Sequence, residues 1–149
     1  RLLLDVGPKE DGTLDERQEK VLLDLGSWIH DHEEAVYPTG KGLSYHQFLG
    51  GSTLSADQQV LYLFLYDKPL ESVCVKGVKT PVKRVTALHS GQELHFSYTG
   101  SLPWSGIPGT LWIWAQDLQT HPFATVLKVE LEGKITYNLG HGEVVTNND

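Results

Sequence analysis

The chain has 149 residues, about one domain's length, and its 12 basic and 19 acidic residues give a net charge of −7. An apolar content of 40% predicts a packed core and excludes a disordered chain. An acidic chain without a Lys/Arg cluster is a poor nucleic-acid binder. Its longest apolar runs are also far shorter than the roughly 20 residues of a membrane span. A single cysteine, Cys74, excludes an internal disulfide and a multi-cysteine zinc site.

The start of the chain predicts a piece of a longer protein. No methionine occurs, and the chain opens at Arg1 with an apolar run behind it. An initiator methionine is normally removed only before a small residue, which arginine is not. The apolar core of a signal peptide does not occur either. We therefore expect further residues upstream of Arg1 in the parent protein.

The first 37 residues predict a strand, a turn and a helix. Residues 1–7 form a short apolar run ending in Gly-Pro, which is typical of a strand buried on both faces in a parallel sheet. Thr13 stands three residues before Glu16, the capping-box spacing. The helix should end near residues 32–34, and its apolar positions share one face: Leu14, Val21, Leu22, Leu25, Trp28 and Ile29. Because the rest of the chain supplies no parallel neighbour, we interpret residues 1–37 as the last unit of an α/β domain.

From Pro38 onward the pattern is β. Apolar and polar residues alternate in short runs separated by turns, over residues 43–49, 60–66, 72–76, 82–88, 93–98, 111–114, 127–132 and 135–139. About eight short strands predict an antiparallel sandwich or barrel over residues 38–139. The glycine-rich segments 40–42 and 50–55 resemble linkers, and residues 140–149 a polar tail. The predicted fold class is mainly β, preceded by one strand–helix unit.

Carboxylates are one class of candidate site residue, because pairs of them are the commonest acid–base device in hydrolases. Most carboxylates of the β-rich part are expected in solvent: Asp57, Asp67, Glu71, Glu93, Asp117, Glu130 and Glu132. Asp5 is the exception, because it ends the predicted parallel strand, where α/β folds place their sites. It either faces a pocket and binds substrate or caps the turn through backbone N–H groups.

The histidines and the cysteine predict no metal site and no cofactor. The run at residues 30–34, His-Asp-His-Glu-Glu, resembles a metal cluster, but histidines two apart do not share a helix face. We expect a solvated helix end there. The other histidines lack ligand spacing: His46, His89, His95, His121 and His141. Cys74 lies between two valines and is expected in the core.

The aromatic residues are the other candidate site. A sugar-stacking platform on the β-rich part would draw on Tyr45, Tyr98, Trp104, Trp112 and Trp114. Trp112 and Trp114 share one strand face, opposite Leu111 and Ile113. One of these two pairs faces the core, and the other must bind a ligand or pack on a neighbouring domain. We favour domain packing, because a missing α/β domain is already implied.

The chain resembles glycoside hydrolase family 29, the α-L-fucosidases. Residues 2–14, Leu-Leu-Leu-Asp-Val-Gly-Pro-Lys-Glu-Asp-Gly-Thr-Leu, resemble its motif Leu-Leu-Leu-Asn-Val-Gly-Pro-x-x-Asp-Gly-x-Ile, with Asp5 where the family commonly has Asn. Leu25-Gly-Ser-Trp-Ile29 and Glu34-Ala-Val-Tyr37 resemble its Ile-Gly-x-Trp-Leu and Glu-Ala-Ile-Tyr. Looser similarity to its C-terminal sandwich occurs at residues 61–67, 76–78, 82–85 and 124–131.

The resemblance implies a catalytic (β/α)₈-like barrel followed by an antiparallel β-sandwich. Residues 1–37 would then be the last strand and helix of the barrel, and residues 38–139 the sandwich. The implied reaction is exo-hydrolysis of α-L-fucosides with retention, by an Asp nucleophile and usually a Glu acid/base. The family places its nucleophile on an earlier barrel strand, so no catalytic residue is carried over to this chain.

The implied partners are an upstream barrel of the same protein and a fucosylated carbohydrate, in a periplasmic, extracellular or lysosomal setting. Three hypotheses follow. The chain is the C-terminal part of an α-L-fucosidase, a stand-alone carbohydrate-binding sandwich, or a structural interaction domain. Asp5, Trp112 and Trp114 are the candidate substrate-binding residues, and only the second hypothesis predicts that sugar stacks directly on the two tryptophans.

Overall fold

The computed structural model describes residues 5–138. This range forms two α-helices, α1 (Glu16–Asp31) and α2 (Glu33–Val36). It also forms eight strands: β1 (Thr39–Lys41), β2 (Gly51–Ser55), β3 (Val60–Leu65), β4 (Ser72–Val75), β5 (Val82–Ala87), β6 (Phe96–Thr99), β7 (Thr110–Trp114) and β8 (Thr125–Leu131). A 3₁₀ turn at Pro103–Ser105 precedes β7. No helix in the described residues is long and apolar enough to cross a membrane.

The strands build two antiparallel sheets. One has the order β1-β2-β3-β8-β5 and the other the order β4-β7-β6. Strands β3 and β8 form the centre of the larger sheet, with Leu63 opposite Leu127. In the smaller sheet Ile113 of β7 lies opposite Val73 and Phe96. The prediction of a mainly β, antiparallel sandwich is therefore confirmed.

The core lies between the two sheets, because alternate residues of each strand face inward. In β3 the leucines at 61, 63 and 65 face this core, whereas Tyr62 and Phe64 face outward. Leu63, Ile113 and Leu127 are fully buried. The residues that alternate along β3 therefore pack against two different partners. One face of the strand packs against the opposite sheet and the other against the helical segment.

Helix α1 packs on the outer face of the larger sheet through Trp28, which joins Tyr62, Phe64 and Val126 in a second apolar cluster. The predicted helix is confirmed, but its cap is not Thr13. Asp15 is the N-cap, and its carboxylate accepts a hydrogen bond from the backbone N–H of Arg17. Thr13 instead donates to the carboxylate of Asp11 in the preceding turn. The Asx turn competes for the threonine hydroxyl and so shifts the cap along the chain.

Residues 5–7 are exposed and form no strand, and residues 1–4 lie outside the described range, so the predicted barrel strand stays a prediction. Two local predictions are wrong. Residues 43–49 form turns instead of a strand, while the supposed linkers contain β1 and β2. Strand β1 is the edge strand of the larger sheet and β2 lies next to it, and small and polar residues are tolerated near a sheet edge.

The last predicted strand, at 135–139, is reduced to an isolated bridge between Tyr137 and Val78. Its final residue and the predicted polar tail at 140–149 lie outside the described residues.

Candidate functional site

Asp5 lies beside the N-terminal half of α1. It is exposed, and it lines a cavity of about 280 Å³ together with Val6, Arg17, Val21 and Leu22. The cavity walls are mostly apolar side chains that no other described element covers. The position suits an incomplete domain contact better than a finished binding pocket, since pockets are usually enclosed and pre-formed.

Trp112 and Trp114 lie on the outer face of the smaller sheet. Their neighbours in β7, Leu111 and Ile113, face the core, as the alternation predicts. The indole Nε1–H of Trp114 donates to the hydroxyl of Ser97 across 3.2 Å, and the side chain is 36% exposed. The pair lies on the opposite side of the sandwich from α1 and Asp5. The three candidate residues therefore do not form one site.

The larger aromatic platform does not form either. Tyr98 pairs with Leu111 on the inward face, and its hydroxyl accepts a hydrogen bond from the backbone N–H of Val82. Trp112 has a different neighbour on its outer face, Cys74, with which it is paired in register. The prediction that Cys74 is a core residue is therefore wrong. It is half-buried on the outer face, and burial raises the pKa of its thiol.

The carboxylates of the sandwich lie at the surface, as expected, and are used in local structure. The carboxylate of Asp57 accepts hydrogen bonds from Ser55 and from the backbone of Gln59 in the β2–β3 turn. Glu130 is half-buried and pairs with Arg84 across the β5–β8 ladder. These partners hold the carboxylates in their ionised form, which suits structure more than proton transfer.

A polar contact fastens α2 to the larger sheet. One carboxylate oxygen of Glu34 accepts hydrogen bonds from the Tyr62 hydroxyl and the Lys128 ammonium, each at 2.7 Å. Burial raises the pKa of Glu34, but these two hydrogen bonds outweigh it and leave the pKa below its ordinary value. Burial and the neighbouring carboxylate raise the pKa of Tyr62. The arrangement orients the helical segment and leaves no free proton donor for chemistry.

The histidines are where the sequence prediction fails most clearly. His32, expected in solvent at the end of the helix, is completely buried. Its ring contacts those of His89 and His121, with centroids 6.3 Å and 5.4 Å away. Spacing along the chain gave no signal, because the three residues come from separate segments. His141 lies outside the described residues. Within residues 5–138 no group of three His, Cys, Asp or Glu side chains is arranged to hold a metal ion.

The fold is that of part of the α-L-fucosidases. Alpha-L-fucosidase isoenzyme 1 from Paenibacillus thiaminolyticus is 24% identical with a TM-score of 0.68, and the match covers 87% of this chain and 30% of that one. The enzyme from Vibrio sp. strain EJY3 is 20% identical with a TM-score of 0.71, covering 90% and 23%.

A GH29 α-L-fucosidase from Bacteroides thetaiotaomicron is 18% identical with a TM-score of 0.67, covering 93% and 29%. The chain thus spans less than a third of the length of each of these solved structures. No family model matches the chain. No curated protein sequence matches it either.

Proposed function

We propose that this chain is the C-terminal part of an α-L-fucosidase of glycoside hydrolase family 29, a retaining exo-glycosidase that releases L-fucose from fucosylated glycans. The observation that carries the proposal is the shared fold. The structural match covers about nine-tenths of this chain and less than a third of each of the three fucosidases. The motif at residues 2–14 adds an independent likeness in sequence.

Within that protein, residues 1–37 are the last strand and helix of the catalytic barrel, and residues 38–139 are the sandwich that supports it. The state of α1 supports this division. The helix has an apolar face, yet none of its residues is buried by the described part of the chain. Val21 is 62% exposed and Val6 is 39% exposed. An amphipathic helix is stable against a partner that covers its apolar face, and an upstream barrel supplies one.

The chemistry belongs to the upstream barrel in this proposal. A retaining glycosidase needs two carboxyl groups about 5–5.5 Å apart across the scissile bond. In the sandwich, Asp57 is instead engaged in a turn and Glu130 in an ion pair on the surface. This segment therefore contributes stability and position, and the fucosylated substrate is bound by the barrel.

The experiment is hydrolysis of an aryl α-L-fucoside by the full-length protein, with the anomer of the first-formed fucose followed by NMR. We expect turnover with release of α-L-fucose, since two displacements retain the configuration. Purified residues 1–149 serve as the control and should give no turnover. A full-length protein that leaves α-L-fucosides intact overturns the proposal, as does turnover by residues 1–149 alone.

A carbohydrate-binding module is the second candidate, favoured only by the outward-facing pair Trp112 and Trp114. The module hypothesis does not explain why α1 has exposed apolar residues such as Val21. Titration with L-fucose while tryptophan fluorescence is recorded separates the two. We expect no response from the sandwich. A response that Trp114→Ala abolishes, and that the matched exposed variant Trp104→Ala keeps, would favour the module.

Asp5 has two candidate roles: it binds the substrate, or it caps the following turn through backbone N–H groups. The variant Asp5→Asn in the full-length protein decides between them. A carboxylate that touches fucose changes KM when its charge is removed, whereas a turn cap changes only stability. Because the residue is exposed and lies beside uncovered apolar side chains, we expect the KM to stay unchanged.

A further inference from the structure

Three histidines from separate parts of the chain meet where the C-terminal end of α1 reaches the sandwich. His32 lies between α1 and α2, His89 in the turn after β5, and His121 in the loop before β8. Their ring centroids are 5.4 Å apart for His32 and His121, 5.6 Å for His89 and His121, and 6.3 Å for His32 and His89. We call these three residues the histidine cluster.

His32 is hydrogen-bonded through only one of its ring nitrogens. Its Nδ1–H donates to the backbone carbonyl of Trp28 across 2.7 Å, and in the neutral ring Nε2 carries the lone pair. This Nε2 is buried and has no hydrogen-bond partner in the described part of the chain. Protonation would place a new N–H in a position with no acceptor, and a buried donor without a partner is costly.

The other two rings show the same limitation. Nδ1 of His89 is buried and likewise without a partner among residues 5–138. Nδ1 of His121 accepts a hydrogen bond from the backbone N–H of Phe123 across 3.2 Å, a role that only an unprotonated nitrogen can fill. His32 and His89 therefore each have a buried nitrogen with no acceptor for a new N–H, and a charge on one ring would repel a charge on the other.

Several groups around the cluster act on its charge, in opposing directions. The hydrogen bond to the Trp28 carbonyl favours the imidazolium form of His32, and the Asp31 carboxylate favours that form of both His32 and His89. So do the C-terminal end of α1 and the Trp28 ring, which stacks on His32 at 4.6 Å. Burial acts in the other direction and is the largest cause. It lowers the pKa of His32 and of His89, and repulsion from His121 lowers both further.

We propose that the histidine cluster is a pH-sensitive latch, which holds the C-terminal end of α1 on the sandwich while its rings are neutral and loosens when they are protonated. The direction of this pH effect follows from the linkage between proton binding and stability. Rings that protonate less readily in the closed form contribute stability that is complete above the ordinary value of 6.5 and is lost as the pH falls below it. The inference is independent of fucosidase activity.

The test is hydrogen exchange of the full-length protein, read by mass spectrometry at about pH 7.5 and 5.5 and corrected for the intrinsic exchange rate. We expect the protection factors of peptides covering residues 28–36 and 118–125 to fall by up to about tenfold at the lower pH, because an open-form imidazole with the ordinary value of 6.5 is about 90% protonated at pH 5.5. Peptides from the sandwich core should stay unchanged. Equal protection of the latch peptides at both pH values overturns the proposal.

Two variants and one control make the result specific. His32→Gln removes the buried ring and should abolish most of the pH effect. If that variant does not fold, His121→Gln decides, since it removes one half-buried member and should reduce the fall in protection. His30→Gln, an exposed histidine of the same helix, should respond as the wild type does. A pH effect that is as large in His121→Gln as in the wild type, or that disappears in His30→Gln, contradicts the latch.

Discussion

The indole Nε1–H of Trp28 donates a hydrogen bond to the backbone carbonyl of Ala124 across 2.8 Å, joining α1 to the loop before β8 over 96 positions of sequence. The same indole ring packs with Phe64 on the outer face of the larger sheet. One side chain thus satisfies a backbone carbonyl and fills an apolar contact. Attachment of α1 to the sandwich depends strongly on this residue.

Trp28→Phe should lower the free energy of unfolding by about 1–2 kcal/mol. The substitution keeps an aromatic ring but leaves the partly buried carbonyl of Ala124 without its donor. Urea unfolding followed by circular dichroism measures the change. The matched control is Trp104→Phe at a tryptophan that is 83% exposed, where no loss is expected. Equal stability of the two variants would contradict this account of Trp28.

Glu34→Gln should destabilise the protein at pH 7 by about 1 kcal/mol, a value reduced for its partial exposure. The variant weakens the contacts with Lys128 and Tyr62. Since the folded state lowers the pKa of Glu34 from 4.5, its stabilisation exists above that value and is lost as the pH falls through the folded pKa.

The difference between wild type and Glu34→Gln should therefore shrink below about pH 4.5. Thermal unfolding between pH 3.5 and 7 measures it. Glu33→Gln, at the exposed neighbouring glutamate, provides the control and should show no such convergence. A constant difference across the range would mean that the charge of Glu34 does not contribute.

Leu63→Ala should cost about 2–5 kcal/mol, because Leu63 is fully buried between the sheets and the substitution leaves a cavity. Denaturant unfolding measures the loss. Leu70→Ala changes the same side chain at a position that is 100% exposed, and it should have almost no effect. A small effect of Leu63→Ala would argue against the packing of the two sheets described above.

Val21→Glu tests whether an upstream domain covers α1. Val21 is 62% exposed within this chain. In the full-length protein we expect a loss of about 1–3 kcal/mol, the usual cost of burying a charge without a partner after relaxation. The control is Leu23→Glu, an exposed position about 200° away around the helix. Similar stability of both variants would mean that solvent, and not a barrel, faces Val21.

The sequence pattern predicted the individual elements where periodicity was strong. The alternation in residues 60–66 correctly separated the core-facing leucines from the outward-facing Tyr62 and Phe64. The spacing of Trp28 on α1 correctly marked the face that packs on the larger sheet. Strands β1 and β2 were missed, because their glycines and small polar residues carry no hydrophobic alternation. Pairing with β3 makes them strands, and such pairing leaves little mark in local sequence.

The candidate site was less predictable, for the same physical reason. Asp5 was predicted from its place at the end of a strand, and Trp112 and Trp114 from their shared strand face, and the fold puts them on opposite sides of the sandwich. His32 was expected in solvent because histidines two apart do not share a helix face. It is buried because the two loops that cover it arrive from the ends of β5 and β8.

The sequence by itself determined the β-rich class of the chain, the position of α1 and the likeness at residues 2–14, since each of these is written in neighbouring residues or short periodic patterns. Only the tertiary structure decided which strands share a sheet, which face of α1 stays bare and which histidines meet. Those outcomes depend on contacts between distant segments, whose free energies are set by burial and partner geometry and not by spacing along the chain.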